Sequence, residues 1–174
     1  MGWSQSQIAR LEMERTILKR YFPNLLWHHP TDPTKTYLEG PFSTNSGRAF
    51  RLRIYVPNVF PAACPDMVVA SPTPLRDARG NAMDEASVSM HVLGTRDGAT
   101  KICHFRPSRW VPQNTLYLVA LKGRIWLEAY DAHTRTGKPL ERYLRHMTED
   151  PGQPGRSYDE EESNFLRIMR LLLS

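Results

Sequence analysis

Cysteine is scarce in this 174-residue chain, which has only Cys64 and Cys103. Two cysteines in different motifs do not make the disulfide framework of a small secreted domain. A chain of this length buries roughly two-thirds of its unfolded surface and needs neither a disulfide nor a metal to fold. No stretch approaches the roughly 18 consecutive apolar residues of a membrane span, and the N-terminus lacks the apolar run of a signal peptide. We therefore expect a cytoplasmic protein with reduced thiols.

Basic residues are in excess but are not clustered. The 23 lysines and arginines outnumber the 18 aspartates and glutamates, which gives a formal net charge of +5. A net positive charge favours binding to acidic partners. The sequence nevertheless has no polybasic run and no basic segment interleaved with aromatic residues, so we expect neither nucleic acid nor a membrane as partner. It also has no phosphate-binding loop, internal repeat or low-complexity tract.

The hydrophobic periodicity predicts an α+β layout. An amphipathic helix with Ser4 as N-cap should place Glu14 on its polar side. We divide the chain into a domain over residues 1–148 and a linker with a last helix over 149–174. The pattern predicts a helix over 4–21, strands over 36–42, 48–56, 67–70 and 87–93, a loop over 72–85, and helices over 112–129, 139–146 and 158–172.

Three short phrases follow one another along the chain. Gly40-Pro41 precedes Phe50-x-Leu52-x-Ile54, then comes Phe60-Pro61-x-x-x-Pro65, and Cys103 stands seven residues before Trp110-x-Pro112. In this order, over residues 5–130, the phrases resemble the ubiquitin-conjugating (UBC) enzymes. The resemblance implies a UBC-like fold, in which an antiparallel meander sheet packs with an N-terminal helix and C-terminal helices.

In the family that these phrases resemble, the cysteine holds an activated carboxyl group as a thioester. The resemblance therefore implies that Cys103 accepts a protein C-terminus and passes it to a lysine amine, which gives an isopeptide bond. Such chemistry needs no metal and no organic cofactor. Because the chain has no phosphate-binding loop, the energy must be supplied upstream, for example by a separate activating enzyme.

The segment from Leu116 to Leu140 is similar to bacterial members of this family that are found in antiphage operons. One implied setting is short type II CBASS, an antiviral defence in which a stand-alone conjugating enzyme acts on a cGAS-like nucleotidyltransferase. The other setting is an operon that encodes its own ubiquitin-like modifier and activating enzyme. A non-catalytic UBC-like binding scaffold is a further class, although such scaffolds lack the cysteine that this chain retains.

Several residues near Cys103 are candidates for accessory roles. Lys101, His104 and Arg106 could lower the pKa of the thiol by favouring its anion. The His-Pro-Asn phrase of the family is incomplete, since His91 is followed by Val92-Leu93, so the asparagine credited with oxyanion support is missing. The side chains that could fill this vacancy are those of His91, His104 and Asn114.

Other assignments remain open from the sequence. Residues 72–85 lengthen the usual link before His91, so we expect this loop and the last helix to be accessory to the core. Cys64 takes a corner where the family prefers proline, and we expect it to be a small buried residue. A Cys-His hydrolase would pair Cys103 with His91, His104 or His133. A zinc site would need a set without ligand spacing, namely His28, His29, Cys64 and Cys103.

Overall fold

The computed structural model describes residues 2–148, so the linker and the predicted last helix, over 149–174, lie outside the described residues. The elements are α1 (Gln5–Tyr21), β1 (Leu26–His28), β2 (Tyr37–Ser43), β3 (Ala49–Tyr55), β4 (Asp66–Ser71), β5 (Ala86–Ser87), β6 (Val92–Arg96), β7 (Ala99–Ile102), a 3₁₀ turn (Pro107–Arg109), α2 (Leu116–Thr136) and α3 (Glu141–Thr148). None of the helices in this part of the chain is long and apolar enough to cross a membrane.

Helix α1 begins where the sequence predicts. The Ser4 side chain accepts the backbone N–H of Gln7, and the Gln7 side chain accepts the backbone N–H of Ser4. This reciprocal capping satisfies two N–H groups that the helix itself leaves unpaired. The helix buries Leu11 and Leu18 in the apolar core and packs against α2. It also buries Glu14, so the prediction that this residue lies on the polar side is wrong.

The strands form one seven-stranded antiparallel sheet in the order β1-β2-β3-β4-β7-β6-β5. The first four strands are a meander, in which β2, β3 and β4 correspond to predicted strands and β1 does not. After β4 the chain passes to the far edge and returns, so β7 and not β5 lies beside β4. Strand β3 alternates as its sequence indicates, with Phe50, Leu52 and Ile54 buried. The predicted α+β class is therefore confirmed for helix α1, the antiparallel sheet and the C-terminal helices.

Two predicted elements have different limits. The predicted strand over 87–93 is wrong, because Ala86–Ser87 and β6 are separate strands joined by a turn in which His91 has a φ of 50°. The long helix begins four residues later than Pro112, since the Thr115 side chain caps it by accepting the N–H of Leu118. It continues to Thr136 and ends at Gly137, whose φ of 69° suits a glycine C-cap.

The loop over 72–85 is part of the core, which corrects the expectation that it is accessory. Leu75 and Met83 are buried in the same apolar cluster as the sheet and α2. The backbone N–H of Ala78 donates to Nε2 of His133 at 2.9 Å, which fastens the loop to α2. Removing this loop would therefore take apolar side chains out of the folded domain.

Helix α2 lies directly on the sheet at Gly123. A Cβ atom at this position would lie 2.4 Å from Sδ of Met67 and 2.8 Å from Cδ1 of Leu52. The absence of a side chain therefore lets the helix approach β3 and β4 closely.

Candidate active site around Cys103

Cys103 is the first residue after β7 and is half-buried. Its backbone N–H donates to the carbonyl oxygen of His91 at 2.8 Å. Its thiol points towards the carbonyl oxygen of Phe105, with Sγ at 3.9 Å. The residue before it, Ile102, is fully buried. The thiol therefore sits on a backbone that is fixed on both sides, and it keeps some exposure to solvent.

Aromatic residues support the loop that follows Cys103. Trp110 is buried, and its Nε1–H donates to the carbonyl oxygen of Pro61 at 2.7 Å. The rings of Phe105 and Trp110 meet edge to face, with centroids 5.3 Å apart. The 3₁₀ turn lies between these two aromatic residues in the chain. These contacts hold the Cys103 loop against the proline-rich corner at Phe60-Pro61.

Opposing influences act on the pKa of Cys103. Burial raises the pKa of the thiol, while Arg106 and Lys122 lower it, and the net pKa is above the ordinary value. The expectation of a lowered pKa is therefore wrong for the isolated domain, although Arg106 acts in the predicted direction. Lys101 does not act on this thiol, because its Nζ forms a salt bridge with Asp66 at 2.8 Å.

The ring of His104 contacts the thiol of Cys64 and not that of Cys103. Its ring is buried, with Nδ1 3.4 Å from the carbonyl oxygen of Ile102 and Nε2 3.9 Å from Sγ of Cys64. Burial lowers the pKa of His104 to about 4, so its imidazole is neutral at neutral pH. The structure therefore gives the predicted role of His104 beside Cys103 no geometric support.

His91 and Asn114 take up backbone roles next to the site. The carbonyl oxygen of His91 accepts both the Cys103 N–H and, at 3.1 Å, the indole N–H of Trp126. The His91 ring is buried, burial lowers its pKa, and its Nε2 has no hydrogen-bond partner within residues 2–148. The buried Asn114 lies in the turn before α2, where its backbone N–H donates to the carbonyl oxygen of Val111 at 3.0 Å.

Arg10 and Glu14 of α1 form a polar clamp on the backbone between Pro112 and Leu116. Sequence reasoning missed this clamp. Nη1 and Nη2 of Arg10 donate to the carbonyl oxygens of Pro112 and Asn114 at 2.7 and 2.6 Å. Nε of Arg10 donates to Glu14, whose other oxygen accepts the N–H of Leu116 at 2.8 Å. The i, i+4 spacing of Arg10 and Glu14 indicates that the two side chains can form an ion pair, but it does not indicate that the pair is buried.

The second thiol is chemically different from the first. Cys64 is partly buried against the core, and its Sγ–H donates to the carbonyl oxygen of Pro65 at 3.5 Å. Burial, together with the nearby Asp66 carboxylate, raises the pKa of Cys64 to about 12. The larger rise leaves Cys64 with less thiolate than Cys103, and the thiolate is the nucleophile. Of the two cysteines, Cys103 is the better candidate for covalent chemistry.

The geometry does not form the dyad of a Cys-His hydrolase. Within the described residues, no histidine nitrogen forms a hydrogen bond with Sγ of Cys103, although such a nucleophile needs an adjacent base. Both ring nitrogens of His133 are engaged elsewhere, by the Ala78 N–H and by the carbonyl oxygen of Lys138 at 2.6 Å. No group of three His, Cys, Asp or Glu side chains in residues 2–148 is arranged to hold a metal ion.

No family model, curated protein or solved structure matches the chain.

Proposed function

We propose that this protein is a ubiquitin-conjugating-like acyl transferase in which Cys103 is the carrier. The thiolate attacks the carbonyl carbon of an activated protein C-terminus, a C–S bond forms, and the activating group leaves. A lysine amine then attacks the thioester, the isopeptide C–N bond forms, and the thiol of Cys103 is regenerated. The reaction involves no net oxidation or reduction.

The observation that carries this proposal is the environment of Cys103. The thiol is half-buried, follows directly after β7, and is held through its backbone by the carbonyl oxygen of His91. An acyl carrier needs a thiol that a protein tail can reach and whose thiolate nearby cations can favour. Arg106 and Lys122 provide those cations. Cys64 is half-buried too, but its thiol has the higher pKa, so its thiolate is less favoured.

The order of elements supports the UBC-like part of the proposal. An N-terminal helix, a four-strand meander, a cysteine and a long helix follow one another as the resemblance implies. In the setting that we propose, short type II CBASS, the conjugated protein is a cGAS-like nucleotidyltransferase. The other setting, with a ubiquitin-like modifier, uses the same Cys103 chemistry on a different C-terminus. The neighbouring genes distinguish these two settings.

The test is a loading reaction with ATP, an activating enzyme and a candidate C-terminal protein taken from the neighbouring genes. Wild-type protein should form an adduct that is visible on a non-reducing gel and is released by dithiothreitol. Cys103→Ala should form none, and the matched control Cys64→Ala should load as the wild type does. Binding of the candidate protein without any adduct would instead identify a non-catalytic scaffold.

A further inference from the structure

We propose that Arg106 and Lys122 form a cationic site that stabilises negative charge at Cys103, first on the thiolate and then on the oxyanion of acyl transfer. This inference rests on the proposed function for its second half. The first half concerns the thiol alone and holds for any nucleophilic use of Cys103. The site takes the place of the asparagine that is missing after His91.

Lys122 comes from a different part of the fold than the cysteine. It lies in the second turn of α2, and its Nζ stands 3.8 Å from the centroid of the Phe105 ring. The carbonyl oxygen of Phe105 accepts a weak hydrogen bond from the Cys103 thiol, with Sγ at 3.9 Å. The cation–π contact therefore holds the ammonium group beside the loop that carries the thiol.

Arg106 adds a second cation from the loop itself. It caps the 3₁₀ turn with its backbone carbonyl oxygen, which accepts the N–H of Arg109 at 2.9 Å. Its side chain is exposed, and within residues 2–148 no carboxylate forms a salt bridge with it. Lys101, the other nearby cation in sequence, is already paired with Asp66. The charge of Arg106 thus remains available to an anion that forms at Cys103.

The chemistry of transfer needs positive charge at this place. When a lysine amine attacks the thioester carbonyl, the electron pair of the C=O bond moves to oxygen, and the amine releases a proton to water. The oxyanion then collapses, the C–S bond breaks, and the thiolate of Cys103 leaves. Both anions form at Cys103, whose thiol feels the charges of Arg106 and Lys122, whereas His104 is neutral and directed to Cys64.

The first experiment measures the thiol without any partner. In a Cys64→Ala background, the rate of Cys103 alkylation by iodoacetamide is followed against pH. Arg106→Gln and Lys122→Gln should each move the midpoint upwards, and the double variant should move it by about one pH unit. Lys35→Gln and Arg20→Gln are controls, since neither cation acts on this thiol. Unchanged midpoints in variants that remain folded by circular dichroism would overturn the proposal.

The second experiment measures transfer from preloaded protein in a single turnover. At equal loading, the double variant should discharge onto lysine about 100-fold more slowly than the wild type. Lys122→Arg keeps the charge and should retain most of the rate. Wild-type loading with no effect of either substitution on discharge would contradict the oxyanion role. A shifted alkylation midpoint in a protein that never loads would contradict the proposed function and leave the cationic site standing.

Discussion

The carboxylate of Glu14 accepts the backbone N–H of Leu116 at 2.8 Å, which joins the middle of α1 to the first residue of α2. The other oxygen of Glu14 accepts Nε of Arg10, and Arg10 in turn binds the carbonyl oxygens of Pro112 and Asn114. The pKa of Glu14 is raised by burial, against the lowering effect of the Leu116 N–H and of Arg10. This clamp fixes residues 112–116, which end the segment that begins at Cys103.

We predict that Glu14→Ala lowers the free energy of unfolding by about 3 kcal/mol, because it leaves the Arg10 cation and the Leu116 N–H without their buried partner. Urea denaturation at neutral pH measures the change. Glu12→Ala is the matched control, since Glu12 is 60% exposed and pairs with Arg15 on the surface. Its effect should stay below about 1 kcal/mol. Equal small effects of the two substitutions would show that the clamp contributes little to stability.

Gly40 should not tolerate any side chain. A Cβ atom there would lie 2.3 Å from the carbonyl oxygen of Asn24, and this backbone cannot move aside as a side chain would. We predict that Gly40→Ala destabilises the domain by about 3 kcal/mol, at the upper end of overpacking costs. Thermal unfolding measures the loss. Gly2→Ala, where a Cβ atom would meet nothing within 4 Å, should leave the melting temperature unchanged. A Gly40→Ala variant as stable as Gly2→Ala would contradict the close approach of the two backbone segments.

Burial of His104 should make the domain sensitive to acid. Its pKa is about 4 in the folded state, below the ordinary value of 6.5. Below pH 6.5 the unfolded chain therefore binds a proton that the folded chain does not, and stability falls as the pH drops towards 4. The full loss from this residue is about 3 kcal/mol. Stability at neutral pH is not affected by this titration.

Urea denaturation at about pH 7, 6 and 5 measures this dependence in wild type and in His104→Gln. The variant is less stable at neutral pH, but the difference should shrink by about 2 kcal/mol by pH 5, because glutamine binds no proton. Cys64→Ala, which removes the neighbouring thiol without removing a group that titrates in this range, should keep the wild-type slope. A constant difference between wild type and His104→Gln would mean that His104 is not held neutral.

Local patterns were sufficient to predict helix α1 and the strands β2, β3 and β4. The capping residues Ser4 and Gln7 lie within one turn of each other, and the alternation of β3 is continuous, so each signal is contained in a short window. The turn at His91 gave no such signal, because a histidine with positive φ is held by its tertiary contacts and not by its own preference. The strands on either side of that turn were therefore merged in the prediction.

The sequence was sufficient to predict the candidate nucleophile, but not the charged and titratable groups that surround it. Motif order selected Cys103. Adjacency in sequence then suggested Lys101 and His104 as its neighbours, but the structure pairs Lys101 with Asp66 and buries His104 against Cys64. Lys122, nineteen residues away from Cys103 in the sequence, lies beside the site because its Nζ stands over the ring of Phe105. No pattern in a single sequence carries that information.

The most direct test of the account is the chemical nature of the adduct in a Cys103→Ser variant. We predict that wild type forms an adduct that dithiothreitol releases, because it is a thioester. The serine variant should form an adduct that resists dithiothreitol and is cleaved by alkali, because it is an oxyester, and peptide mapping should place it at position 103. An adduct that survives Cys103→Ala with its sensitivity to reductant intact, and that is lost in Cys64→Ala, would contradict the assignment of Cys103 as the acyl carrier.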